Sequence, residues 1–253
     1  MQRAVSLSSL TTALAATLAA GVTTASADTL AYWQFEQTRN LAGDLSPAVA
    51  GQTLTSTTHT PQDPRPFVHD ASGSGNHLRI YTDTPNGETS PPSVFSSNVP
   101  RPTLANGQAN NISMELNGRD LWTEGGNLAS YNLSAGWTVE TSFKVGNPDA
   151  WQVFVGKDRT TAGNSGPDFA VKFHQDTDDI FVQWRGGDNV LRELVFGTVA
   201  EGVWYDLAAT ASYDGTNTLV NLYVKPSTQA AFGAPVTLTY ASSALNVGTG
   251  TWT

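Results

Sequence analysis

The stretch Gly202-Val203-Trp204-Tyr205-Asp206-Leu207-Ala208-Ala209-Thr210-Ala211-Ser212-Tyr213-Asp214-Gly215-Thr216-Asn217-Thr218-Leu219-Val220-Asn221-Leu222-Tyr223-Val224 is two alternating strands around a tight turn. In the first strand Trp204, Leu207, Ala209 and Ala211 sit among small and polar residues. In the second, Leu219, Asn221 and Tyr223 share one face, and Val220, Leu222 and Val224 the other. Asp214-Gly215 lies between them, with Asn217 close behind. Asp-Gly between alternating apolar residues signals a hairpin, because Gly accepts the positive φ that such turns demand.

The rest of the chain follows the same pattern. Charged residues make up only 14%, and long helical periodicity is absent. Short alternating runs between turn signals indicate an all-β chain. Leu30–Glu36 is expected as a strand with Ala31, Trp33 and Phe35 on one face. Residues 40–65, broken by Pro47, Pro61 and Pro64, are expected as a long loop with a short strand near Gln52–Ser56. A turn at residues 69–77 leads into the strand Leu78–Tyr81. Residues 82–107 form a second proline-rich irregular insertion. Strands then follow at Ser113–Leu116, Trp137–Val145, Trp151–Gly156, Asp168–His174, Ile180–Arg185 and Val190–Phe196. After the hairpin come Val236–Tyr240 and the start of one at Gly248–Thr253. About a dozen strands in one unit suggest two stacked antiparallel sheets.

The first 27 residues have the form of a secretory signal peptide. Arg3 supplies a positive charge, Ala4–Thr24 is an Ala/Leu/Thr-rich run, and Ala25-Ser26-Ala27 is a small-x-small cleavage site. Cleavage after Ala27 removes one Arg and no acid, taking the formal charge from −9 to −10. An acidic surface of this kind repels phosphate backbones and disfavours nucleic acid as a partner. No other segment is long and apolar enough for a membrane-spanning helix. The chain has no cysteine, so stability must come from core burial rather than disulfides. About 225 mature residues suffice for one such core. Asn111-Ile112-Ser113 and Asn132-Leu133-Ser134 fit the glycosylation pattern, which matters only in a host that glycosylates.

Taken in order, four segments resemble the laminin G-like, concanavalin A-like jelly-roll superfamily of secreted proteins. They are Leu30–Glu36, Asp70–Leu78, Trp137–Val145 and Gly202–Val224. The second resembles that family's Asp-x-Ser-Gly-Asn-Gly-Asn turn, with Ser74 where Asn is usual. The third departs from its usual aromatic pairing through Ser142-Phe143, and Lys225-Pro226 replaces the Asn-Gly that usually follows the fourth. The resemblance covers residues 30–253 and implies a single antiparallel β-sandwich, a concanavalin A-like jelly roll, over residues 28–253. It also implies further closing strands beyond Thr253.

Catalytic patterns are scarce. Jelly-roll glycoside hydrolases carry acids on alternate residues of one strand, so that two carboxylates meet across the bond they cleave. Here Glu140 has Thr138 and Ser142 at the same-face positions. The acids of Gln175-Asp176-Thr177-Asp178-Asp179 sit in a turn, and Glu193 is isolated. His59, His69, His77 and His174 show no zinc spacing, and there is no Gly-x-Ser-x-Gly elbow. Asp70, Ser72, Ser74 and Asn76 are spaced by two, like the early ligands of a calcium loop. Tyr81 stands where the closing acid would be. The same residues also suit a turn whose side chains bond their own backbone, and both readings remain open.

Sugars stack on exposed flat rings. Trp122, Trp151 and Trp184 lie at strand ends or beside glycine-rich turns, while Trp33, Trp137 and Trp204 are expected in the core. Trp184-Arg185-Gly186-Gly187-Asp188-Asn189 adds Arg185, Asp188 and Asn189, which suit hydroxyl or carboxylate recognition. The expectation is a secreted, non-catalytic recognition module for a glycan or an extracellular protein surface, with calcium as its one candidate cofactor. The alternatives are a polysaccharide-active enzyme, or the accessory domain of one, and a structural or adhesive surface protein.

Overall fold

The computed structural model describes residues 29–39, 43–54, 67–80, 93–104, 107–116, 121–123, 133–147, 151–157 and 169–245. The expected signal peptide and the strand expected at Gly248–Thr253 lie outside them. The described residues contain no helix and sixteen strands: β1 Trp33–Arg39, β2 Leu45–Pro47, β3 Thr53–Leu54, β4 Phe67–Asp70, β5 Leu78–Ile80, β6 Ser93–Ser96, β7 Ser113–Glu115, β8 Leu121–Thr123, β9 Gly136–Lys144, β10 Gln152–Lys157, β11 Phe169–His174, β12 Asp179–Arg185, β13 Leu191–Thr198, β14 Trp204–Tyr213, β15 Thr218–Pro226 and β16 Val236–Tyr240. All paired strands run antiparallel. The chain is an all-β sandwich.

The larger core lies between two four-stranded sheets, β10-β11-β12-β13 and β16-β15-β14-β9. The first is a meander inserted between β9 and β14, which pair with each other across the gap in sequence. Alternation decides what enters the core. Leu207, Ala209 and Ala211 of β14 pair in register with Thr141, Val139 and Trp137 of β9 and with Val224, Leu222 and Val220 of β15. From the opposite sheet come Phe169, Val171, Phe173, Ile180, Val182 and Trp184. Trp137 meets Phe169 edge-on at 4.9 Å between centroids, a geometry that aligns a positive ring edge with a negative face.

The hairpin turn is a four-residue loop, since Tyr213 pairs with Thr218. The Asp214 carboxylate accepts the amides of Thr216 (2.8 Å) and Asn217 (2.7 Å), and Gly215 adopts φ +98°, which an L side chain resists.

A smaller core joins the sheets β2-β1-β4-β5-β8 and β3-β6-β7, with Ala48, Val68, Leu78, Phe95 and Ile112 at its centre. This part corrects the expectation of two irregular insertions. Residues 40–65 contribute β2 in addition to β3, which falls within the short strand expected near Gln52–Ser56, and residues 82–107 contribute β6, whose Phe95 is fully buried. Strands β4 and β8 are also additions to the sequence reading. β1 starts three residues later than expected, and its register shifts between Trp33 and Thr38, where Phe35 takes φ +62°. A bulge of this kind breaks the simple in–out alternation expected there. Trp33 packs against both cores.

Candidate functional site

The Asp70 turn bonds to its own backbone and to residues 29–32. Asp70 is buried. Its Oδ1 accepts the amides of Tyr32 and Ser72, each at 2.9 Å, and its Oδ2 accepts the Asn76 amide at 2.8 Å. Burial alone would raise this carboxyl's pKa; the amide bonds outweigh it and bring the pKa below its ordinary value. The Ser72 Oγ accepts the Ser74 amide, the Ser74 Oγ donates to the Thr29 carbonyl, and the Asn76 Nδ2 donates to the Leu30 carbonyl. A cation needs converging oxygen lone pairs, whereas the Asp70 oxygens face N–H groups. These bonds account for Asp70, Ser72 and Ser74 as a self-bonded turn tied to the segment before β1, while the Asn76 Oδ1 is buried without a hydrogen-bond partner. Among the described residues no group of three His, Asp or Glu side chains is arranged to hold a metal ion.

The second candidate, the β12–β13 hairpin, is also occupied with its own structure. Trp184 is corrected from a ligand platform to a core residue. It is fully buried, because it shares the inward face with Ile180 and Val182, and its Nε1 donates to the Tyr240 hydroxyl at 3.0 Å. Asp188 grips Arg192 through both oxygens (2.8 and 2.6 Å) and accepts the Val190 amide. The Arg192 partner, then the amide, hold its carboxyl below the usual range. The Arg192 guanidinium lies 4.0 Å from the Tyr240 ring centroid, a cation–π contact. Arg185 donates to the Asn189 carbonyl at 3.3 Å, and Asn189 turns the chain at φ +63°. The hairpin docks on residues 242–243 through Gly187 N–H to the Ser243 carbonyl and Asp188 N–H to the Ser242 hydroxyl.

Trp122 sits on β8 in register with Arg79; its side chain lies outside those described.

Trp151 is different. It precedes β10 and remains 50% exposed. Its ring lies 4.1 Å from that of His174, tilted by 55°, and meets Phe181 edge-on at 6.2 Å. Phe181 is only 3% exposed, yet it points away from the main core, because it alternates with the inward Ile180 and Val182. Trp151 and His174 help to cover it on the outer face of the sheet. Phe181 pairs across strands with Lys172 and Val195, and the Val153 register partner is Lys172. Val153 and Val195 are both exposed. The result is an open aromatic step with an apolar skirt, raised at the end of the sheet where the β11–β12 turn carries Asp176, Asp178 and Asp179.

His174 and Phe181 escaped the sequence reading. A signal was present: each takes the outward position in a strand whose alternate residues are inward and apolar.

A buried charge cluster was also missed. The Asp206 carboxylate accepts from Ser142 Oγ (2.8 Å), Ser227 Oγ (2.9 Å), Lys225 Nζ (2.7 Å) and Arg101. Burial pushes its pKa up, and bonds led by Lys225 and Ser142 more than reverse this, so the net direction is down. Asp206, Ser142 and Lys225 are cross-strand neighbours, invisible to a reading along the chain. Its partners are two hydroxyls and two cations, and one carboxylate cannot by itself supply the paired acids of glycoside hydrolysis.

No protein-family model matches the chain, and a search of the curated proteins likewise finds no match.

Proposed function

We propose that this is a secreted, non-catalytic recognition module of jelly-roll type that binds carbohydrate on the Trp151 platform. One observation carries the reading. Trp151 is a large ring left half open to solvent although Phe181 and His174 support it from behind. Aromatic side chains usually bury such area, and a supported, exposed ring is a preformed surface whose ordering cost has been met before a ligand arrives. The flat face of a pyranose matches it in shape and in apolar character. At the other described candidates the Asp70 and Asp188 carboxylates accept hydrogen bonds from within the fold, and Trp184 is buried.

Binding of polysaccharides to the protein and to Trp151→Ala tests the proposal, with and without added calcium. Binding that disappears in the variant and is indifferent to calcium is the expected result. No binding to any sugar would defeat the proposal, and release of reducing ends would favour the enzyme reading instead. An extracellular protein surface is the second reading, favoured by the exposed Val153, Val190, Leu191 and Val195, since exposed apolar groupings mark contact surfaces.

A further inference from the structure

We infer that the platform selects a cationic amino sugar, namely a polysaccharide of glucosamine-type units with free ammonium groups, over neutral or N-acetylated sugars. The inference rests on the carbohydrate reading of Trp151 and adds the ligand's charge.

The shape of the site favours a sugar over a simple ammonium ion. Quaternary ammonium groups are held in cages of several rings. Trp151 instead offers one open ring, tilted on His174 and edge-on to Phe181, which suits a flat pyranose lying across it.

The charge beside the ring is negative. The Asp176 amide donates to His174 Nδ1 at 3.1 Å, and its carboxylate Oδ2 lies 3.9 Å from the same nitrogen. A carboxylate with a 70% exposed side chain therefore stands against the ring that touches Trp151. Asp178 and Asp179 follow in the same turn, and the Asp179 carboxylate accepts the Thr198 hydroxyl at 3.4 Å. Of the outward cations on β11 and β12, Lys172 reaches Gln183 Oε1 at 3.2 Å, and Arg185 reaches the Asn189 carbonyl at 3.3 Å at the opposite end of β12 from Asp179. Gln183 lies two residues beyond Phe181, on the side away from Asp179 and His174. The lysine charge is thus directed away from the platform's acidic end. A sugar ring on Trp151 with an amino substituent at its rim would bring an ammonium to the Asp176 carboxylate for a charge-assisted hydrogen bond. The formal charge of −9 would also draw a polycation toward the surface at long range.

The test is titration of Trp fluorescence with three β-linked oligosaccharides of equal length, built from glucosamine, N-acetylglucosamine and glucose. It is run at about pH 6, where the amine is protonated, and at low salt. The glucosamine oligomer should bind roughly threefold to tenfold tighter than either comparison sugar, the range expected of a few exposed charge pairs. Salt should close the gap by screening. Asp176→Asn should narrow it, and Trp151→Ala should abolish binding of the glucosamine oligomer. Equal or tighter binding of the uncharged oligomers, still lost in Trp151→Ala, overturns the charge preference and leaves the carbohydrate reading standing. Glucosamine binding that survives Trp151→Ala also overturns it, since the attraction would then belong to the acidic surface at large. Failure of all three to bind defeats both readings.

Discussion

Trp151 and Trp184 look alike in the sequence. Each is an indole at a strand border near a turn. The structure gives them opposite roles. Replacing Trp184 with Ala should cost about 3–5 kcal/mol of unfolding free energy, because a fully buried indole leaves both a transfer loss and a cavity. Replacing Trp151 should cost about 0.5–1.5 kcal/mol through its lost contacts with His174 and Phe181, well below the Trp184 loss, while removing ligand binding. Urea denaturation of the two variants checks both values; a large loss from Trp151→Ala would make that ring a structural element instead. The alternation of Ile180, Val182 and Trp184 already places Trp184 inside. Recognising its neighbour Phe181 as outward yet buried needed the third dimension, because its cover comes from β10, the β11 end and β13. Asp70 is a residue-scale case of the same kind. Its spacing with Ser72, Ser74 and Asn76 suits metal and turn alike, and the Tyr32, Ser72 and Asn76 amides on its oxygens favour the turn. Asp70→Asn should destabilise by roughly 1–3 kcal/mol, since one amide would then face an NH₂ donor. Added calcium should not move the melting temperature of the wild type; a calcium-dependent rise would contradict the turn-only geometry, because a ligand bound by the folded state stabilises it.

At the scale of elements, the long strands were legible, and of the short ones β3, β5 and β7 were expected while β2, β4, β6 and β8 were not. β9, β14 and β15 announce themselves because nine or ten residues give several turns of the in–out pattern, and both neighbours of β14 reinforce it. Strands of three or four residues, such as β2 and β6, are too short for alternation to register on its own. The prolines around them at 61, 64, 91, 92 and 100 suggest loops. Yet Phe95 in β6 centres the smaller core; its burial comes from pairing with Met114 on β7, a contact between distant residues. The β12–β13 hairpin shows why glycine can matter for closeness rather than for φ. A Cβ on Gly187 would stand 1.9 Å from the Ser243 Oγ and 3.2 Å from its Cβ, so Gly187→Ala must turn the serine hydroxyl away or lift the hairpin off residues 242–243. Melting should fall by the equivalent of about 1–3 kcal/mol, as for overpacking elsewhere. The double variant Gly187→Ala, Ser243→Ala should recover part of it, because it removes the obstructing hydroxyl. No recovery would mean that the serine hydroxyl is not the obstruction.

Across the whole molecule, specific residues join the two cores. Trp33 packs on both and donates through Nε1 to the Asn76 carbonyl at 2.7 Å. The segment before β7 reaches the large sandwich at two points: Asn98 Oδ1 accepts from Trp204 Nε1 at 2.8 Å, and Arg101 pairs with Asp206. Asp206 therefore ties β9, β14, β15 and the residues 98–101 together through one carboxylate shared by two cations and two hydroxyls. Its pKa lies below the carboxylate value of 3.8, which fixes the sign of its pH dependence. A group depressed in the folded state contributes stability that is complete above its unfolded pKa. That contribution disappears as pH falls through the lower, folded value. Unfolding free energy should hold steady from neutral pH to about pH 5 and then decline through pH 4 and below. Asp206→Asn should lose roughly 3–5 kcal/mol at neutral pH, because Lys225 and Arg101 would keep their charges without a counter-ion. It should also show a shallower acid decline than the wild type, because one depressed carboxyl no longer titrates. Asp70 would retain its own share. Urea unfolding at a series of pH values gives both slopes, and equal slopes would show that Asp206 is not the carboxyl that couples acid to the docking of the two cores.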